Sequence, residues 1–255
     1  MLGSHNALDI VKAEVISGSP HSGILFICDH ASNAIPEDLG DLGLSCQQLE
    51  RHIAYDIGAA WVTRELAKQF NAPAILTSFS RLVIDPNRGR DDPTLVMKLS
   101  DGAIIPGNRY ADEGEVKHRL TRFYDPYDRQ IQKAIEEGIM KGVPPAVISI
   151  HSFTPVWRGV PRPWKIGILW DRDDRLAKPL LSSFEKQGIV VGNNEPYSGA
   201  LEGDTLNRHA THRGLAHVLI EIRQDLISCE SKAREWAQEI ADHIRLALSA
   251  SIRRT

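Results

Sequence analysis

The chain has 255 residues, 42% hydrophobic and 25% charged, which is enough to bury one sizeable core within a single domain spanning 1–255. Its net charge of −3, with acids and bases interspersed, excludes the basic field that holds nucleic acid. His5, Asp9, Lys12 and Glu14 interrupt the apolar residues at the start, and no stretch is long and apolar enough to span a bilayer, so the expected location is cytoplasmic, away from the membrane.

Apolar runs alternate with helical periodicity along the chain. Strands are predicted at Ile24–Cys28, Ala74–Phe79, Leu82–Asp85, Ala146–Ile150, Ile166–Trp170, Ile189–Val191 and His217–Ile222. Several are apolar without alternation, as in parallel strands covered on both faces. Helices are predicted over Glu50–Phe70 (Ile53, Ile57, Trp61), before Gly142 (Ile131, Ile135, Ile139) and over about 230–250 (Trp236, Ile240, Ile244, Leu248), each with an apolar residue at every fourth position facing the core. The pattern predicts an α/β fold with parallel strands flanked by helices. The long stretches Asp85–Gly107 and Thr154–Pro163 read as binding or lid loops, and Asn193–Asp204 as a flap. Cys28, Cys46 and Cys229 form no C-x-x-C pair and are expected as buried free thiols.

Ligands of open α/β sheets bind at the carboxyl ends of the strands. Three predicted strands bring chemistry there: Ile24–Cys28 leads to Asp29-His30, Ala146–Ile150 to His151, and His217–Ile222 carries Glu221. Two imidazoles and a carboxylate are donors that a catalytic divalent metal takes, one position being left for water. Glu221, between aliphatic neighbours and on one face with Leu219 and Arg223, has the desolvation that tunes a general base; an edge strand with Glu221 in water is the bland alternative. In the segment Arg81–Arg88, alternation puts Arg81, Val83 and Asp85 on one face, and Asn87-Arg88 offers donors for a carboxylate. Asp85 paired with Arg81 or Arg88 for structural reasons is the competing reading. His21, His212 and His217 are expected to serve turns and strand starts. No G-x-S-x-G, G-x-x-x-x-G-K-[ST] or G-x-G-x-x-G motif follows a strand, which counts against a serine hydrolase and a nucleotide enzyme.

The ordered set His30, Asp85-Pro-Asn87-Arg88, His151-Ser-Phe and Glu221-Ile-Arg223 resembles the signature of the N-formylglutamate amidohydrolase family, itself similar to zinc carboxypeptidases and aspartoacylase. Further matches are Asp29-His-Ala-Ser-Asn33, His52-Ile-Ala-Tyr-Asp56-Ile-Gly58 and Thr205-Leu-Asn-Arg208-His209, and the resemblance runs from about Ser19 to Asp225. It implies a three-layer phosphorylase/hydrolase-like α/β domain, with a mixed, mostly parallel sheet flanked by helices, that cleaves an N-acyl, for instance N-formyl, amino acid. It further implies one zinc on His30 and His151, Glu221 as general base and acid, Arg81 as oxyanion stabiliser, and Asn87 and Arg88 as the clamp of an acidic small-molecule substrate. Arg208 and His209 would reach the substrate from a loop. The zinc carboxypeptidases carry a glutamate three residues after the first histidine, where this chain has Asn33, so the third ligand must come from elsewhere. Asp56 is the first choice, at the opening of a helix, with Glu37 as the alternative; Asp29 fits a role orienting an imidazole. Manganese, iron or cobalt suits the same donors. A related carboxypeptidase or deacylase, and a metal-free binding protein on the same fold, are the competing functions. The oligomeric state is not legible.

Overall fold

The computed structural model of the chain describes residues 10–252, so His5 and Asp9 lie outside the described residues. One seven-stranded sheet organises the fold. Its strands are β1 (Glu14–Ile16), β2 (Ile24–Cys28), β3 (Ala74–Leu76), β6 (Ala146–Phe153), β9 (Ile166–Leu169), β10 (Val191–Asn193) and β11 (His217–Arg223), in the order β1-β3-β2-β6-β11-β9-β10. The run from β3 through β2 and β6 to β11 is parallel, as is β9 with β10; β1 and the β11–β9 contact are antiparallel. The sheet is therefore mixed and mostly parallel. Two short hairpins, β4 (Leu99–Ser100) with β5 (Ala103–Ile104) and β7 (Val156–Trp157) with β8 (Val160–Pro161), fall inside the two long connections expected as loops.

Helices cover both faces. Seven are α-helical among the described residues: α1 (Cys46–Leu49), α2 (Ala59–Phe70), α3 (Glu113–Arg119), α4 (Asp125–Met140), α5 (Ala177–Lys186), α6 (Thr205–His209) and α7 (Glu230–Ile252). One face of the sheet, with Phe26, Ile148, Ile150 and Ile220, packs on α2, α5 and α7. The other, with Leu25, Ile27, Val147 and Leu219, packs on Tyr127, Ile131 and Ile135 of α4. All five residues of β2 and all eight of β6 are buried, which accounts for the lack of polar–apolar alternation in β2 and in the first part of β6.

Several expected elements differ. Leu82–Asp85 is a turn, in which the Ser80 hydroxyl accepts the Leu82 amide (3.1 Å) and the Ser80 carbonyl accepts the Val83 amide (2.9 Å). Its apolar run is buried in a separate cluster with Phe79, Ile105, Phe123 and Tyr124, so burial imitates a strand. Arg81 and Asp85 therefore meet as turn neighbours, not as alternate residues of a pleat. Helix α2 begins at Ala59 rather than near Glu50, with Val62, Leu66 and Ala67 facing the core and Trp61 outside. Ile139 is likewise exposed although Ile131 and Ile135 are buried. Within α4 a four-residue repeat drifts about 40° per step around a helix of 3.6 residues per turn, so its third member leaves the apolar face. Strand β3 stops at Leu76, and the strand expected at Ile189–Val191 starts at Val191. All three thiols are free, but only Cys28 is buried; Cys46 and Cys229 are exposed. Strand β11 lies between β6 and β9, so Glu221 is not on an edge.

Candidate active site

The parallel register places Glu221 directly beside His151, and Gly167 stands opposite it on β9. His30 arrives two residues beyond β2, and Asp56 comes from the turn preceding α2. That turn is fastened to its neighbours: the Asp56 amide donates to the His30 carbonyl (2.9 Å), and Asp56 Oδ2 accepts from the Ser152 amide (3.3 Å). Gly58, at φ +82°, then turns the chain into α2. A Cβ there would stand 2.2 Å from the Ile227 carbonyl oxygen, so neither the conformation nor the space admits a side chain.

Nδ1 of His151 lies 2.8 Å from Asp56 Oδ2, and Nδ1 of His30 lies 3.4 Å from the same oxygen. The nearest donor atoms of His30, Asp56 and His151 all lie within 4.8 Å of one another, and all three residues are buried. Each imidazole is held at its outer nitrogen by another carboxylate: His30 Nε2 by Asp85 (2.7 Å) and His151 Nε2 by Asp29 (3.0 Å). Carboxylates on the outer nitrogens fix ring orientation and make the inner nitrogen a better donor to a cation. Asp29 is saturated, accepting also from Ser149 (3.1 Å), Tyr127 (3.0 Å) and Thr205 (2.7 Å). Glu37 lies in a separate 3-10 turn and is not part of the convergent group.

The electrostatics ask for a cation. Asp29, Asp56, Asp85 and Glu221 are buried, whereas the guanidinium groups nearby belong to Arg81 and Arg88. Buried charge is retained only when it is compensated, and the deficit is one that two imidazolium protons or one divalent ion would fill. Burial disfavours charge on His151, yet its bonds to Asp29 and Asp56 push its pKa well above the ordinary histidine value. Burial also pushes Glu221 up to about 7, against the pull of His151, and its Oε2 has no hydrogen-bond partner. A buried, unpartnered carboxyl of this kind is poised to exchange a proton.

These groups line a cavity of about 430 Å³ shared by His30, Asp56, His151, Glu221, Arg81 and Arg88. Arg81 binds Asp85 through Nε (3.1 Å) and its second terminal nitrogen (2.7 Å), and its remaining terminal nitrogen lies 3.6 Å from Asp56. Arg88 is less committed, with Nε 3.8 Å from Asp85, beyond hydrogen-bond reach. Asn87 also lines the cavity, its side-chain oxygen accepting the Thr205 amide (3.1 Å).

Arg208 and His209 do not line the cavity. His209 Nε2 lies 2.7 Å from Asp128 and Arg208 3.1 Å from it, while Arg208 also donates to the carbonyls of Pro86, Arg88 and Gly203. Arg208 thus braces the Asn87-Arg88 loop, and His209 helps to hold Asp128, which pairs with Arg208. Asn33 donates to the Leu49 carbonyl and Glu50. Ser152 donates to the Ile57 carbonyl, so it is occupied structurally. Cavity residues that the sequence reading missed include His52, Trp170, Tyr197 and Asp204. Tyr197 and Asp204 fall on the anticipated flap and His52 opens the matched His52–Gly58 segment, but the sequence reading gave none of the three a role of its own.

The model of the N-formylglutamate amidohydrolase family matches residues 22–228. The chain belongs to the N-formylglutamate amidohydrolase family. The fold agrees with two solved structures. Gene product Atu2144 from Agrobacterium tumefaciens is 38% identical, with a TM-score of 0.89 over 95% of this chain and 96% of that one. N-formylglutamate amidohydrolase from Ralstonia eutropha JMP134 is 20% identical, with a TM-score of 0.65 over 92% of this chain and 99% of that one. No curated protein matches the chain. Membership makes the chain an amidohydrolase-type hydrolase acting on a small molecule, and the His30, Asp56, His151 group is a possible metal site within it. No helix among the described residues is long and apolar enough to cross a membrane.

Proposed function

We propose that the protein is a zinc-dependent amidohydrolase that cleaves the amide bond of an N-acyl amino acid. The observation that carries this reading is the convergence of His30, Asp56 and His151 on one point, with the unpartnered carboxyl of Glu221 on the adjoining strand. Two imidazoles and a carboxylate, oriented through Asp85 and Asp29, are the donor set of a catalytic zinc. A zinc ion held there supplies Lewis acidity toward the amide carbonyl and the attacking water.

The residues of the chain do the rest. Glu221 removes a proton from the attacking water and delivers it to the departing nitrogen, so that one water and one amide become a carboxylic acid and an amine. Arg81 compensates the negative charge that develops on the carbonyl oxygen, with its guanidinium already fixed by Asp85. Asn87 and Arg88 bind the substrate carboxylate and so orient the amide. Because the base must be deprotonated, activity should rise with pH through the titration of Glu221.

Metal content per chain tests the reading. Elemental mass spectrometry should find about one zinc per chain in protein purified without a tag or chelator, and His151→Ala should lose it. A metal-free wild-type protein that refuses added zinc would instead favour a binding protein on this fold. For the clamp, Arg88→Ala should raise KM for N-acyl amino acids by ten- to a hundredfold and have little effect on the corresponding carboxamides. Equal losses on both series, measured by steady-state kinetics, would make Arg88 structural.

A further inference from the structure

The segment anticipated as a flap, residues 193–204, is built against the sheet beside Glu221. Gly167 of β9 stands opposite Glu221, and Gly192 of β10 is its neighbour in register. A Cβ on Gly167 would lie 2.2 Å from the Glu195 carbonyl oxygen and 3.4 Å from the Glu221 Cβ, and one on Gly192 would lie 2.6 Å from the same oxygen. The two glycines thus let the Glu195 peptide rest on the sheet face that carries Glu221. Asn194 ties the segment down: its amide donates to the Ile168 carbonyl (3.0 Å), and its side-chain oxygen accepts the amides of Trp170 (2.9 Å) and Gly199 (3.1 Å). Tyr197 lies between these ties. It follows Glu195 by two residues, hence within about 8 Å of it from Cα to Cα, and lines the cavity with Glu221.

The Tyr197 hydroxyl is held from behind. Arg162, just past β8, is 9% exposed and forms no ion pair among the described residues. Its guanidinium packs against the rings of Tyr197, Trp157 and Phe153, 5.1, 5.3 and 5.6 Å from their centroids, and Nη1 donates to the Tyr197 oxygen (3.2 Å) and to the Thr154 hydroxyl (3.1 Å). A guanidinium can only donate, so the phenol is the acceptor in this bond and keeps its own proton. That proton has no acceptor among the described residues, and Tyr197 borders the cavity. Partial burial and the negative charge of Glu221 raise the phenol above its ordinary value of 10, so it stays a donor throughout the range in which Glu221 acts as a base.

The acceptor it lacks is a substrate oxygen, and the charges nearby say which. The carboxylates that bear on Tyr197 are Glu221 and Asp56, so a substrate carboxylate placed there would meet like charge. The amide carbonyl is neutral on arrival. As the water oxygen bonds to the carbonyl carbon, its proton passes to Glu221 and the carbonyl π pair becomes a lone pair on oxygen. One negative charge therefore leaves the carboxylate and reappears on that oxygen. A fixed donor beside Glu221, backed by a cation, matches that change.

We infer that Tyr197 is a catalytic residue: its hydroxyl donates to the carbonyl oxygen of the scissile amide as that oxygen turns negative, alongside Arg81, and Arg162 is the positioning residue that holds the hydroxyl there. This rests on the amidohydrolase reading and adds a residue to the machinery of that site.

The zinc-loaded protein and its Tyr197→Phe variant should be compared in steady state on the best substrate among N-formylglutamate, N-formylglutamine and N-formyl-leucine. In the variant kcat should fall about a hundredfold with KM little changed. Its Tm should match that of the wild type, because Tyr197 is 44% exposed. Calorimetric binding of a phosphonamidate analogue, whose tetrahedral anion mimics the charged oxygen, should weaken by a comparable factor, and binding of the product amino acid should not. Arg162→Met should lower kcat as well, Arg162→Lys should restore part of it, and adding Arg162→Met to Tyr197→Phe should cost nothing further, since the guanidinium acts through the phenol. Additive losses would overturn the positioning role of Arg162. An unchanged kcat in Tyr197→Phe, or a raised KM with kcat intact, would overturn the inference and leave the amidohydrolase standing. A wild type that cleaves none of the three compounds would overturn the amidohydrolase reading itself, and the inference with it.

Discussion

Replacing Glu221 with glutamine is expected to lower kcat on an N-acyl amino acid by two to four orders of magnitude while leaving zinc content unchanged. The substitution is nearly isosteric and removes the proton acceptor. Glu221 is buried, lies beside His151 in register, and belongs to a strand packed between two others, so its backbone is held independently of its charge. Burial pushes the Glu221 carboxyl up to about 7, so above that pH a neutral amide avoids the cost of the buried charge and the variant should be at least as stable as the wild type. Lost turnover with retained metal and an unchanged or higher Tm separates a chemical role from a structural one. A variant that remains active would take Glu221 out of the reaction.

Removal of Asp29 should damage the protein more broadly. Its carboxylate accepts from His151, Ser149, Tyr127 and Thr205, and it is almost wholly inaccessible to water. Asp29→Ala leaves several buried donors unsatisfied, at about 1–3 kcal/mol each where no new partner is found. Thr205 has an alternative in the Pro86 carbonyl at 3.2 Å, so the expected loss is about 3–5 kcal/mol in denaturant unfolding. Zinc affinity should fall ten- to a hundredfold in a competition with a chelator, because His151 loses the group that orients its ring. The pH dependence supplies an internal check. Burial by itself would raise the pKa of Asp29, but hydrogen bonding and charge from His151, with further help from His30 and Thr205, hold it down to about 2 from an ordinary value of 3.8. A depressed carboxyl contributes stability that is complete above the unfolded value and is lost as pH falls through the folded one. The gap between wild type and Asp29→Ala should therefore narrow between about pH 4 and 2. A gap that stays constant would show that the loss comes from packing.

The sheet was legible because its central strands are buried on both sides, and a run such as Ala146–Ile150, apolar but for Ser149, has few other places to go. The two histidines were legible for the same reason, since each follows such a run. Leu82–Asp85 shows the limit: three aliphatic residues between Arg81 and Asp85 are buried in a turn, and burial reads the same in a turn as in a strand. The carboxylate on His30 shows another. Asp85 is 55 positions away, and its visible neighbour, Arg81, accounts for it without any histidine. The family pattern made Arg208 and His209 attractive, whereas their contacts with Asp128 and the loop carbonyls are long-range facts that only the folded chain displays.

The pairing of Glu221 with His151 across adjacent strands bears on how this scaffold can be altered. Two residues so paired are kept apart by the ladder spacing of about 4.8 Å, a length set by main-chain hydrogen bonds and indifferent to side-chain composition. The proposed centre thus has a ruler that drift in sequence cannot stretch, while the walls bearing Arg88 and Asp204 are made of turns and a short helix end. A library meant to change what the protein accepts should randomise those walls and leave β6 and β11 untouched.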